Sequence, residues 1–145
     1  MNDGIVPYGH FLNNDSPHNF CTLAREFLDA AIYTHAGFKR VPMWPTFLLI
    51  FQSLENFLKA YLLANGATMD HLQFTIGHKL CDALAEAKAK GLVVNVHKDW
   101  EDAIMTMSRD YTAKDFQYRS NGSWTQVYPE YVIDYVEAVA KVVKY

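Results

Sequence analysis

Cysteine is scarce: Cys21 and Cys81 are the only two among 145 residues, too few for a disulfide scaffold or a cysteine-based metal framework. Both stand among apolar residues at helical spacing and are expected to be small buried thiols of a cytoplasmic protein. An excess of positive charge is also missing. The net charge is −3 and no run of Lys or Arg occurs, which argues against a protein that holds nucleic acid mainly by electrostatics. No charged start is followed by an apolar stretch, so no signal peptide is expected. No phosphate-cradling glycine loop, Gly-flanked serine elbow or zinc-protease helix motif is present. No segment sustains the two-residue alternation of a half-buried strand, and repeats and low-complexity tracts are absent. What remains is a chain with 50% hydrophobic and 20% charged residues, the profile of an ordinary globular domain. We expect one domain over 1–145, with 1–15 as an N-terminal extension.

The most informative stretch is Phe47 to Gly66, an almost wholly apolar helical pattern carrying one narrow polar stripe. At helical periodicity Gln52, Glu55, Asn56 and Lys59 fall within roughly a third of the circumference, with Ser53 off that stripe. The length tempts a membrane reading. Ionisable groups near the centre of a span are costly in lipid, so the expectation is a buried helix in a bundle and no membrane association.

The rest of the chain also reads as helix. Ser16 before Pro17 is a start signal, and Phe20, Leu23, Ala24, Phe27, Leu28, Ala31 and Ile32 keep helical spacing up to Gly37. Lys39 to Pro42 is a connector, Pro45 lies near the start of the second helix, and Gly66 closes it. A loop from Ala67 to Gly77 precedes a short helix that begins near His78 and stops at Gly91. The fourth helix shows Trp100, Ala103, Ile104, Met107 and Tyr111 on one face and Asp99, Glu101, Asp102 and Arg109 on the other. Thr112 to Thr125 reads as irregular. Pro129 opens a last helix with Tyr131, Val132, Tyr135, Val136, Val139, Val142 and Val143 inward. Val and Tyr favour strands, but their spacing of three to four makes this segment a helix. The fold class expected is all-α, a single-domain bundle of about five helices.

Three residues or pairs are candidates for chemistry. Glu55 and Lys59 have the favourable orientation for a helix pair, so they are either a structural ion pair or the lining of a polar pocket. His78 stands at a helix start, where the positive dipole end keeps an imidazole neutral and attracts anions, or it caps that helix at the edge of the core. Arg119, beside Phe116, Tyr118 and Trp124, has the composition of a phosphate-and-base grip, or of an Arg pinned to a carboxylate such as Glu55. His97 and Glu101 share metal-ligand spacing without a further ligand to complete a site. Asp99, Glu101 and Asp102 are expected to form a solvated acidic face. Neither a metal nor a cofactor is expected.

The chain resembles the HEPN superfamily of small helical bundles named for nucleotide binding. The resemblance lies in Ser53-Leu54-Glu55-Asn56-Phe57-Leu58-Lys59-Ala60-Tyr61-Leu62, in Gly77-His78-Lys79-Leu80, in the helix closed by Gly91, and in Tyr118-Arg119. It spans most of the chain from Asn19 onward. It implies a homodimer in a bacterial defence, toxin–antitoxin or stress setting, with a nucleotidyltransferase-type or antitoxin partner and a nucleotide or RNA ligand. Many members look like metal-independent endoribonucleases that use an Arg followed, after four to six residues, by a His. No histidine occupies that window after Arg25, Arg40, Arg109 or Arg119.

The expectation is therefore a non-catalytic HEPN-like domain that binds a nucleotide, RNA or a partner protein. Glu55, Lys59, His78, Tyr118 and Arg119 form its binding set. The alternatives are a metal-independent endoribonuclease using His78 and Arg119, and a purely structural assembly subunit.

Overall fold

The computed structural model describes residues 16–37, 43–112 and 127–145. Across them the chain forms five α-helices and one short π-helix, an all-α bundle. The α-helices are α1 (Pro17–Gly37), α2 (Met43–Ala64), α3 (Leu80–Ala89), α4 (Lys98–Thr112) and α5 (Pro129–Val142), with the π-helix His71–Ile76 between α2 and α3. The N-terminal extension 1–15, the connector at 38–42 and the segment at 113–126 lie outside the described residues, and with them Tyr118, Arg119 and Trp124.

The helix ends follow their local chemistry. The Ser16 hydroxyl accepts from the Asn19 amide at 3.1 Å, satisfying one of the orphan donors of α1. At Gly66 (φ +96°) the Ala67 amide bonds back to the Leu62 carbonyl and the Gly66 amide to that of Leu63. Gly91 (φ +102°) ends α3 in the same way, through Leu92 to Ala87 and Gly91 to Lys88. Both are left-handed caps that an L side chain resists. Pro129 occupies the first turn of α5, where its missing amide costs nothing.

Helix α2 is the middle of the molecule and packs against all four other α-helices. Phe47, Ile50, Phe51, Leu54, Phe57, Leu58, Ala60 and Leu62 have no exposed surface. Its stretch Trp44–Ala64 is long and apolar enough to cross a membrane, yet its most apolar part is largely buried within this chain. A core helix meets the same criterion, because hydrophobic residues all round are what a central position requires. Ala24 and Ala31, small and fully buried, let α1 approach closely. The Ser53 hydroxyl then donates to the Ala24 carbonyl at 2.7 Å, which accounts for a polar residue off the stripe.

Some expectations need correction. The loop from Ala67 to Gly77 contains the π-helix, whose wide turn appears in the Gly77 amide bonding to the Leu72 carbonyl, five residues back, at 3.0 Å. Only Leu72 and Ile76 point inward from it, too few positions to register as a period. Helix α3 starts at Leu80, two residues after His78. On α4 the buried set is Glu101, Ile104, Met107 and Ser108, while Trp100 is exposed. The acidic face is thus solvated at Asp99 and Asp102 but not at Glu101, whose charge has partners inside. Tyr131 and Val142 of α5 are likewise exposed, at the two ends of that helix.

Candidate functional site

The polar stripe of α2 divides once the fold is formed. Asn56 turns back on its own helix, its side-chain amide donating to the Gln52 carbonyl at 2.7 Å. Glu55 instead meets both Lys59 and the segment that follows the π-helix. The Lys59 ammonium lies 3.5 Å from Oε2 of Glu55, and Nδ1 of His78 lies 2.7 Å from Oε1. One carboxylate therefore serves a cation and an imidazole through different oxygens.

Burial grades across this group. The Glu55 side chain is 6% exposed, Lys59 12% and His78 68%. The carboxylate forms the floor and the imidazole the outer edge. A carboxylate accepts hydrogen bonds through both oxygens, and the Lys59 ammonium is the charge partner of this one. The short contact anchors the His78 ring through Nδ1, and Nε2 is the ring's other donor-or-acceptor atom. The ring and the ammonium are thereby gathered at one carboxylate, and both kinds of group make phosphate contacts. The same geometry serves two kinds of chemistry, phosphate contact and proton transfer.

Gly77 (φ +55°) ends the π-helix and turns the chain so that His78 returns to α2. That π-helix is itself tied to α3. Nε2 of His71 contacts both carboxylate oxygens of Glu86, at 2.9 and 2.8 Å. His71 is therefore a clasp on the segment that carries His78.

Of the candidates read from sequence, Glu55, Lys59 and His78 come together; Tyr118 and Arg119 lie outside the described residues. His97 and Glu101 do not form a pair. His97 caps α4, its Nδ1 accepting from the Asp99 amide at 3.2 Å, while Glu101 turns into the fold. Among the described residues no three of His, Cys, Asp and Glu converge as a metal site. Both cysteines are free, and burial pushes the Cys21 thiol pKa up.

A second buried carboxylate escaped the sequence reading. Glu101 pairs with Lys88 of α3 and accepts from the Tyr135 hydroxyl of α5 at 2.9 Å, joining three helices. Burial first, then the neighbouring Glu101 charge and their hydrogen bond, drives the Tyr135 pKa far upward. The sequence did contain a signal. Glu101, Ile104 and Ser108 follow helical spacing, so Glu101 shares the inward face despite its charge.

No family model matches the chain, and neither a curated protein nor a solved structure does. The functional reading therefore rests on this site's residues.

Proposed function

We propose that the chain is a HEPN-like, non-catalytic domain that binds the phosphate of a nucleotide or RNA at His78 and Lys59, with Glu55 orienting both. The supporting observation is the single buried carboxylate shared between the Lys59 ammonium and the exposed His78 ring. Holding both groups on one floor reduces the side-chain freedom lost when an anion binds. The chain's modest negative charge suits a local anion site better than extended electrostatic contact along a nucleic acid. The homodimer, the antitoxin or nucleotidyltransferase-type partner and the bacterial defence setting remain part of this proposal through the resemblance alone.

The experiment is titration of a labelled RNA oligonucleotide, with ATP and pyrophosphate as competitors, against the wild type and His78→Ala. Binding that weakens at least about tenfold in the variant, at unchanged melting temperature, supports the reading. If millimolar nucleotide and RNA leave the melting temperature of the wild type unmoved, the reading fails and Glu55–Lys59 is a structural pair.

One observation favours a second reading, a metal-independent endoribonuclease. The Glu55 carboxylate contacts Nδ1 of the exposed His78 ring at 2.7 Å, the carboxylate–imidazole arrangement in which a histidine serves as general base. In that reading Nε2 takes the proton of the 2′-hydroxyl as its oxygen bonds to phosphorus, the bond from phosphorus to the 5′-oxygen breaks, the leaving 5′-oxygen takes a proton from water, and Arg119 steadies the developing charge on phosphate. Cleavage of RNA in the presence of a chelator, abolished by His78→Ala, replaces the binding-only reading with this one.

A further inference from the structure

Three aromatic side chains meet on the outside of the molecule, where α4 and α5 begin. Trp100 and Tyr131 have ring centroids 5.1 Å apart with planes inclined by 59°, and Tyr128 and Tyr131 are 6.3 Å apart, inclined by 53°. All remain open to solvent, with 46% of Trp100, 40% of Tyr131 and 68% of Tyr128 exposed. Single exposed aromatics need no explanation, but here Tyr131 contacts both Trp100 and Tyr128, which makes a continuous patch.

The patch lies beside a buried polar contact. Tyr135, one helical turn after Tyr131, is buried and bonded to Glu101, the residue that follows Trp100. The Tyr135–Glu101 hydrogen bond thus links α5 to α4 beside the Trp100–Tyr131 contact. Rings already ordered in this way lose little side-chain freedom on binding.

The surrounding charge is negative. Asp99 precedes Trp100, while Glu130 and Asp134 accompany Tyr131 on α5, and all three carboxylates are exposed. Acidic residues are at home near helix starts, so their presence alone signifies nothing about a ligand. Their combination with open aromatic faces does. Glu130 and Asp134 are like charges four apart, a mildly destabilising spacing that a bound cation relieves. Glu130 also has His35 of α1 at 3.6 Å, and Lys98 is the basic residue in the first turns of the two helices.

We propose that this surface docks an arginine- and lysine-rich segment of a partner protein, in extended form, with its cations over the rings of Trp100, Tyr131 and Tyr128. Guanidinium and ammonium groups are attracted to aromatic faces, and the flanking carboxylates pair with them in two-pronged fashion. A nucleic acid is repelled by the same carboxylates, and an apolar helix would bury them unpaired. The patch extends over more than one ring, so the surface accepts a segment rather than one ion. This inference is independent of the Glu55–His78 site, which lies on other elements.

The test uses the whole chain and a fluorescein-labelled decapeptide of alternating Arg and Ser, followed by polarisation. A decapeptide of alternating Glu and Ser and a ten-nucleotide RNA are the competitors. Expected is saturable binding of the Arg peptide that weakens with salt, and a loss of roughly fivefold to tenfold in Trp100→Ala and in Tyr131→Ala. The pair Glu130→Gln and Asp134→Asn, which leaves the rings in place, is expected to give a similar loss. Melting temperatures of these surface variants stay near that of the wild type. Absence of Arg-peptide binding by folded protein at millimolar concentration overturns the proposal. So does equal affinity in the wild type and a folded Trp100→Ala/Tyr131→Ala double variant, or competition by the Glu peptide or RNA through these rings.

Discussion

Nδ1 of His78 lies 2.7 Å from Oε1 of Glu55, joining residues 23 positions apart in sequence. The contact puts an exposed group on a buried anchor, and the two ends respond differently to substitution. Glu55→Ala leaves the Lys59 ammonium, 12% exposed, without its charge partner. The expected loss is about 3 kcal/mol, since a desolvated ion deprived of its partner is costly. His78→Ala removes only the exposed end and is expected to cost less than about 1 kcal/mol. Urea denaturation of both variants measures the difference. Equal losses would show that His78 is part of the structural core.

Stability above neutral pH should depend on Tyr135. Its folded pKa is raised, so the native state holds a proton that an unfolded tyrosine releases near about pH 10. The contribution is complete below that pH and is lost as pH rises toward the folded value. The slope is about 1.4 kcal/mol per pH unit for one such group. Tyr135→Phe is expected to remove this component from the fall in stability between about pH 10 and 11. The check is to compare urea midpoints of the two proteins at several pH values.

Gly91→Ala should destabilise the fold through the backbone. The φ of +102° is strained for alanine, whereas the added methyl meets only the Tyr61 hydroxyl at an ordinary 3.6 Å. The expected cost is about 1–2 kcal/mol, read from chemical denaturation. A neutral result would mean that the end of α3 relaxes into another cap.

Ser53→Ala tests the closeness of α1 and α2. The hydroxyl is buried and donates to the Ala24 carbonyl at 2.7 Å, so its removal is expected to cost about 1 kcal/mol. Thermal melting of this variant checks the value. Ser53→Val, which adds bulk where the helices approach, should cost more.

Helix starts and stops were legible because they are local. Ser16-Pro17, Gly66, Gly91 and Pro129 each impose or permit a backbone conformation with little help from the rest of the chain. The central role of α2 was legible as well, since a nearly all-apolar surface has one favourable location. The π-helix was not, because two inward side chains establish no period. Glu101 was misplaced because its charge suggested solvent, whereas Lys88 and Tyr135 compensate it inside.

The sequence by itself determined an all-α chain, the order of its α-helices and the Glu55–Lys59 pair, all of which depend on neighbours within about one helical turn. Only the tertiary structure decided that His78 joins that pair, that Glu101 ties α3, α4 and α5 together, and that Trp100 meets Tyr131 outside. The reason is physical. Each of these contacts brings together residues distant in sequence, and periodicity carries no information about which helix faces will meet across a core.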